Sequence, residues 1–294
     1  MNKVGFIGVG IMGKSMVRNL MKAGFELHIY ARTKSKVEDV ISEGAQFHES
    51  IKDCVQDCDA VITIVGFPQD VEEVYFDQGN ILDSAKKGAY LIDMTTTSPQ
   101  IAEKIYEEGT KRGFHVMDAP VTGGDTGAKA GTLSILVGGE KEDYEACMPL
   151  FEAMGTNINY QGKAGCGQHC KLANQIMIAG TLSGVCEALT YAKEQGLDPE
   201  VFMKSVATGA AGSKQLDTFG PKILKDDYAP GFFMKHFIKD MKLALIEANR
   251  KGLSLDVLSM VLANYEELEQ EGYGDLGTQA LMKFYDEEHR NMDE

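Results

Sequence analysis

The sequence predicts an α/β fold in two parts: a domain built on a parallel sheet, then a long connecting helix leading into an all-α domain. Three observations carry this prediction. Short apolar runs alternate with segments of helical spacing through the first half, a glycine cluster separates the first run from the first helical segment, and strand-like runs stop after about residue 163. Such alternation implies parallel strands covered by helices on both faces. The 294 residues also exceed what one core usually organises. The boundaries are drawn at 1–163 for the α/β domain and 164–294 for the helical one.

Taken in order, residues 4–8 form the first apolar run, 12–23 have helical spacing, and 27–30 form a second strand. Runs at 60–65, 90–93, 114–118, 132–137 and 157–160 add further strands, with helical segments between the earlier ones. From 165 to 195 apolar residues recur at helical spacing without interruption, which as one helix would measure about 45 Å. Asp198-Pro199 then reads as a fresh N-cap with proline in the first turn. Helices are predicted over about 235–251, 256–271 and 275–289, and Met292 to Glu294 are expected to fray.

Composition narrows the function. Hydrophobic residues make up 44% and charged residues 25%, as in an ordinary soluble domain. A formal net charge of -15 argues against nucleic acid as a partner, because it repels phosphates. No uninterrupted apolar run approaches the roughly 18 residues of a membrane span, so no membrane partner is expected. The first twelve residues already read as a strand and a turn, so a signal peptide is not expected and a cytoplasmic location is. Cysteines stand at 54, 58, 147, 166, 170 and 186, with two pairs spaced by four. That spacing is not a metal knuckle, so reduced thiols and no metal are expected.

Gly8-Val9-Gly10-Ile11-Met12-Gly13 is G-x-G-x-x-G between a predicted strand and a predicted helix. Gly8 permits the tight turn, Gly10 lets a pyrophosphate approach the backbone, and Gly13 lets the helix pack close to the strand. This is the fingerprint of a Rossmann dinucleotide-binding domain, with Gly8, Gly10, Ile11, Met12 and Gly13 at the cofactor. The second strand ends at Tyr30-Ala31-Arg32-Thr33, followed by Lys34 and Lys36. A carboxylate there would hold a ribose 2′-hydroxyl, whereas a guanidinium suits a 2′-phosphate. Arg32, followed by Thr33, Lys34 and Lys36, therefore points to NADP, with NAD as the alternative, and Ala31, Arg32 and Thr33 are expected at the cofactor.

Asp118-Ala119-Pro120-Val121-Thr122-Gly123-Gly124 follows a strand end, where open parallel sheets bind ligands. Thr122 with two glycines offers a hydroxyl and approachable N–H groups for a carboxylate, though the turn reads equally well as structural. Lys171, Asn174 and Gln175 follow at i, i+3 and i+4 on the long helix and share one face. A partly desolvated lysine there could trade protons near neutrality, the alternative being a solvated surface lysine.

Four blocks together resemble the β-hydroxyacid dehydrogenase family: GFIGVGIMGKSMVRNL (5–20), DAPVTGG (118–124) continuing into GAKAGTLSILVGG (127–139), GCGQHCKLANQ (165–175) and KDMKLA (239–244). They stand in family order and span essentially the whole chain. The resemblance implies Lys171 as catalytic acid/base, Asn174 and Gln175 at the substrate, and Thr122, Gly123 and Gly124 at its carboxylate. It also implies Thr96 and Lys239 beside the cofactor. Three positions depart from the pattern. Thr122 replaces the usual Ser, Gln175 stands where many members have a second Asn, and Ala31 replaces an Asn found before Arg-Thr in NADP-using members.

The implied activity is NADP-dependent interconversion of a small β-hydroxy acid of the 3-hydroxyisobutyrate type and its semialdehyde. Reduction of tartronate or succinic semialdehyde, and an NADP-sensing module without turnover, are the alternatives. A small carboxylate-bearing substrate and a homodimer or homotetramer are the expected partners. The side chains of Met12, although it lies inside the glycine loop, and Met16, with Glu266, Glu267, Glu269 and Glu271, Phe232, Phe233, Phe237 and His236, are read as packing or solvated surface.

Overall fold

The computed structural model describes residues 1–285. The chain divides into two compact units, Met1–Lys171 and Leu172–Glu294.

The first unit is built on one sheet. Its strands are β1 (Lys3–Ile7), β2 (Glu26–Tyr30), β3 (Gln46–Phe47), β4 (Ala60–Thr63), β5 (Tyr90–Asp93), β6 (His115–Asp118), β7 (Val121–Thr122), β8 (Leu133–Gly139) and β9 (Gly155–Gly162). They run in the order β3-β2-β1-β4-β5-β6-β8-β7, with β9 also paired to β8. Chain order reverses beside β1, which makes the β1/β4 boundary a switch point of the sheet. Successive side chains of the central strands feed two different cores. Val4, Phe6, Ala60, Ile62 and Ile92 enter one; Ile7, Val61 and Leu91 enter the other. Burial on both faces is why these strands are short continuous apolar runs.

The sheet departs from the parallel expectation at one side. β6–β8 and β7–β8 are antiparallel, although β8–β9 is parallel again. The two-residue strands β3 and β7 were not predicted, because strands that short carry no periodicity, and β7 sits inside a proline–glycine stretch that reads as a turn.

Helix α1 (Ile11–Lys22) follows β1 and buries Met16, Val17 and Leu20 completely. The long helix α2 runs Cys166–Glu194 without a break, and the unit boundary falls within it. By length and composition it meets the criterion for a membrane span, which the sequence reading had put out of reach. Its apolar side is committed elsewhere: Leu172, Ala179, Leu182, Cys186 and Leu189 lie in the second unit's core.

The second unit adds α3 (Pro199–Ala207), α4 (Lys214–Ile223), α5 (Met234–Arg250) and α6 (Asp256–Gln270). The predicted cap is present: the Asp198 carboxylate accepts from the N–H groups of Glu200 and Val201 at 2.9 and 3.0 Å. Helix α4 was not predicted, since Gly220-Pro221 near its end reads as a break. The helix predicted at 275–289 is instead two tighter 3-10 segments, Tyr273–Asp275 and Thr278–Tyr285. Gly274 and Gly277 stand within that stretch, and glycine disfavours a regular α-helix. Positions 286–289, and Met292 to Glu294, lie outside the described residues.

Phe237 and Tyr265 meet edge to face at 5.4 Å in the centre of this core, both fully buried. Phe237→Ala should therefore lower the unfolding free energy by about 3–5 kcal/mol, measured by urea denaturation.

Candidate active site

β1, β2, β4, β5 and β6 are parallel, so the segments that follow them all emerge at one edge of the sheet. That edge carries Gly8 to Gly13, Ala31 to Thr33, Thr96 and the 118–124 turn.

The glycine loop divides its work as the dinucleotide fingerprint requires. At Gly8 (φ +96°) a Cβ would meet the Ile64 carbonyl oxygen at 2.1 Å, and at Gly13 it would meet the Gly8 carbonyl oxygen at 2.2 Å. At Gly10 a Cβ would meet nothing within 4 Å, so this backbone faces open space. Helix α1 begins there with no side-chain cap and no acidic residue in its first turn. Its leading N–H groups and positive dipole end suit the pyrophosphate of NAD(P). Ile11 is exposed, and Met12 is half-buried against the core below.

At the end of β2, Ala31 is half-buried while Arg32 and Thr33 are exposed. Arg32 Nη1 donates to Asp70 Oδ1 at 3.2 Å, and Asp70 is itself anchored by the Phe67 N–H on Oδ2 at 2.9 Å. The Arg32 side chain is 74% exposed, which leaves its remaining donors accessible to a 2′-phosphate. Lys34 turns the other way, over the Phe47 ring and 3.5 Å from Glu49.

Two buried carboxylates stand side by side where β5 and β6 end, at register partners Asp93 and Asp118. Asp118 receives the N–H of Gly165 on Oδ1 and that of Gln168 on Oδ2, both at 2.8 Å, so it caps the long helix. Burial raises its pKa and the two N–H donors oppose the rise. Asp93 Oδ1 accepts from the Thr63 hydroxyl at 2.8 Å and the Thr95 N–H at 3.1 Å. Burial, reinforced by the charge of Asp118, pushes Asp93 up to about 6. Thr95 Oγ1 in turn accepts from the Val65 N–H at 3.0 Å, joining the loops after β4 and β5. Gln168 binds both sides of Thr96: Nε2 donates to the Thr95 carbonyl at 2.7 Å, and Oε1 accepts from the Thr97 N–H at 3.0 Å.

Lys171 lies one helical turn beyond Gln168 and is 7% exposed. Asn174 and Gln175 follow on the same face of the continuous helix. Asn174 is half-buried and Gln175 is fully inside, 1% exposed. Within the second unit the Asn174 side-chain amide donates to Gln175 Oε1 at 2.8 Å, and Gln175 Nε2 donates to Asp240 Oδ2 at 2.7 Å. Lys239 Nζ lies 3.0 Å from the other Asp240 oxygen, so the buried carboxylate is held in an ion pair. Gln175 thus spends its amide on Asn174 and Asp240, which fixes the orientation of Asn174.

In the 118–124 turn, Gly123 (φ +128°) and Gly124 (φ +63°) adopt conformations that favour glycine, directly after the half-buried Thr122. A side chain at Gly123 would press on Leu133 at 3.3 Å, whereas Gly124 opens onto free space.

Among the described residues no three His, Cys, Asp or Glu side chains could together hold a metal ion. Cys54, Cys58, Cys147, Cys166 and Cys170 are free thiols, and burial pushes Cys58 up to about 12. Phe232 stacks near His236 and meets Phe237 at 6.0 Å, and Glu266 pairs with Lys242 at 2.7 Å. Met16 is fully buried. Sequence reasoning quoted Asp118 and Gln168 only as parts of longer blocks and missed the buried framework of Asp93, Thr95 and Gln168. Its only local signal is a set of polar residues, TTT and Q, next to apolar or glycine positions.

Residues 3–162 match the NAD binding domain of 6-phosphogluconate dehydrogenase. Residues 165–285 match the NAD-binding domain of NADP-dependent 3-hydroxyisobutyrate dehydrogenase. The chain is 49% identical over 282 residues to the uncharacterized oxidoreductase YkwC of Bacillus subtilis, covering 96% of this chain and 98% of that one. It is 44% identical to a probable 3-hydroxyisobutyrate dehydrogenase-like 1, mitochondrial, of Arabidopsis thaliana, covering 95% and 84%. It is 34% identical to a NAD-dependent L-serine dehydrogenase of Pseudomonas aeruginosa, covering 97% and 98%. Among solved structures, Mycobacterium tuberculosis 3-hydroxyisobutyrate dehydrogenase with L-serine superimposes with a TM-score of 0.88 at 26% identity, covering 96% and 98%.

The raised Asp93 pKa makes stability pH-dependent. From an ordinary value of 3.8 to about 6, the folded chain holds a proton here that the unfolded chain has lost. This contribution is therefore fully present in acid and is lost as pH rises through that window. Asp93→Asn should remove up to about 3 kcal/mol of the stability difference between about pH 4 and pH 7, read from urea titrations at both pH values.

Proposed function

The chain belongs to the β-hydroxyacid dehydrogenase family of NAD(P)-dependent oxidoreductases acting on CH–OH groups, and from that premise we propose that it interconverts a small β-hydroxy acid of the 3-hydroxyisobutyrate type and its semialdehyde, with NADP preferred and Lys171 as acid/base. The observation that carries this reading is Lys171 itself. It is a lysine only 7% exposed, one turn beyond a helix start pinned to the cofactor edge of the sheet. Burying an ammonium is costly, and buried titratable groups of this kind cluster at functional sites.

NADPH supplies the hydride in reduction and NADP+ accepts it in oxidation. In reduction Lys171 gives a proton to the aldehyde oxygen; in oxidation it takes the proton of the hydroxyl. Thr122, Gly123 and Gly124 hold the carboxylate, and Asn174 hydrogen-bonds the substrate from an orientation set by Gln175 and Asp240. Holding both ends of so small an acid lowers the entropic part of the barrier. Gly8, Gly10, Ile11, Met12 and Gly13 receive the pyrophosphate, Ala31, Arg32 and Thr33 the adenosine end, and Thr96 and Lys239 also serve the cofactor. The NAD-dependent relative keeps NAD as the second reading for the cofactor.

The free thiols of Cys54, Cys58, Cys147, Cys166 and Cys170 favour a reducing compartment, and the cytoplasm is the proposed location. The proposed assembly is a homodimer or homotetramer, supported by Met177, Tyr191, Val257 and Met260 standing exposed on the helical unit.

Lys171→Ala should lower turnover about 100-fold or more while NADPH binding stays intact; retention of more than about a tenth of the activity would remove the lysine from its role. Michaelis constants should favour NADPH over NADH, and Arg32→Ala should erase that preference, whereas an NADH preference in the parent enzyme would overturn it. A panel of C3 to C5 semialdehydes ranks the acids, and tight NADPH binding without turnover on any of them would favour a sensor.

A further inference from the structure

Gln168 is fully buried, yet none of the roles above uses its side chain. Its amide reaches across more than seventy residues of sequence to the backbone on either side of Thr96. The two bonds fix which way the amide points. Reversing it would set an N–H against the Thr97 N–H and an oxygen against the Thr95 carbonyl. At the same time the backbone N–H of Gln168 is held by Asp118. One residue therefore ties the loop after β5 and the end of β6 to the first turn of the long helix. Lys171 follows it three positions later, about 4.5 Å along the helix axis.

We propose that Gln168 is a positioning residue: its side-chain amide locks the Thr95–Thr97 loop, and Thr96 with it, at a fixed spacing from Lys171. The proposal rests on the reading of Lys171 as acid/base and of Thr96 as a cofactor neighbour. A fixed spacing matters because the proton moves at the lysine while the hydride moves at the cofactor, and both must meet the same carbonyl group. Near-attack geometry is sensitive to displacements of about 1 Å.

The test exploits the donor that Thr95 needs. In Gln168→Glu one carboxyl oxygen still accepts from the Thr97 N–H. The other faces the Thr95 carbonyl and restores the bond only when protonated. Burial and that carbonyl both favour the protonated form, so the variant's side chain should titrate above the ordinary carboxylate range. At about pH 8.5 its kcat should fall about tenfold relative to the parent, with the KM for the semialdehyde changed less than about threefold. NADPH affinity, read from nicotinamide fluorescence, should weaken about threefold or more. At about pH 6 both ratios should return toward one. Gln168→Met, which has no donor at any pH, should show the losses without the recovery.

If Gln168→Glu matches the parent at both pH values, the proposal is overturned. A loss that does not recover in acid also overturns it, because general damage rather than the missing donor would then be responsible. Lys171→Ala, assayed alongside, separates the two ideas. Activity in that variant defeats the acid/base reading, while the NADPH fluorescence arm still decides whether Gln168 orders the Thr95–Thr97 loop.

Discussion

The Asp118 carboxylate, buried at the end of β6, accepts the N–H groups of Gly165 and Gln168 and so fixes where the long helix begins. A helix start leaves four N–H groups without partners, and a buried carboxylate would otherwise be strongly disfavoured. Each corrects the other's deficit. The approach is possible only because side chains are missing nearby: a Cβ at Gly138 would meet Asp118 Oδ1 at 2.6 Å, and one at Gly167 would meet the Leu136 carbonyl at 2.3 Å. The first turns of the helix counted from that start, Gln168 and Lys171 included, inherit their position from this contact.

The sheet edge is joined by equally specific links. The Gly8 turn lies against the Ile64 carbonyl, the Val65 N–H rests on the Thr95 hydroxyl, and Thr95 is held by Asp93 and Gln168. The loops after β1, β4, β5 and β6 are thus connected through backbone groups and buried polar side chains. These hydrogen bonds tie the backbone segments to one another, while Asp93 Oδ2 and the Thr97 hydroxyl stay buried without a hydrogen-bond partner. In the helical unit the chain from Asp240 through Gln175 to Asn174 plays a comparable part, carrying the orientation of one exposed-side amide back to a buried ion pair.

What could be read in advance were features set by local pattern. The doubly buried strands, such as Ala60–Thr63 and Tyr90–Asp93, appear as apolar runs because both faces meet a core. The unbroken helix Cys166–Glu194 and the glycine loop are equally local. Two-residue strands, the Pro221-bearing helix and the 3-10 segments near the C-terminus escaped, since one or two turns leave no period to recognise. The site was legible as a set of residue types and turn positions, but not as a network. Gln168 and Thr95 are 73 positions apart, and Gln175 and Asp240 are 65 apart. No spacing rule links them; only the completed sheet and helices bring each pair together.

Helix α1 and the long helix are electrically unlike at their first turns. Helix α1 starts at Gly10 with no side-chain cap and no acidic residue, whereas the long helix has its positive end neutralised by Asp118. In the proposed binding mode a dinucleotide along this edge would meet an open anion site beside β1 and a helix start closed to anions beside β6. The cofactor carries its negative charge on the diphosphate and, in NADP, on the 2′-phosphate at the adenosine end, whereas the nicotinamide ring is neutral when reduced and cationic when oxidised. In the proposed binding mode this arrangement would give the cofactor a direction, diphosphate toward the first strand and reactive ring toward the lysine, before any contact with the ring is made.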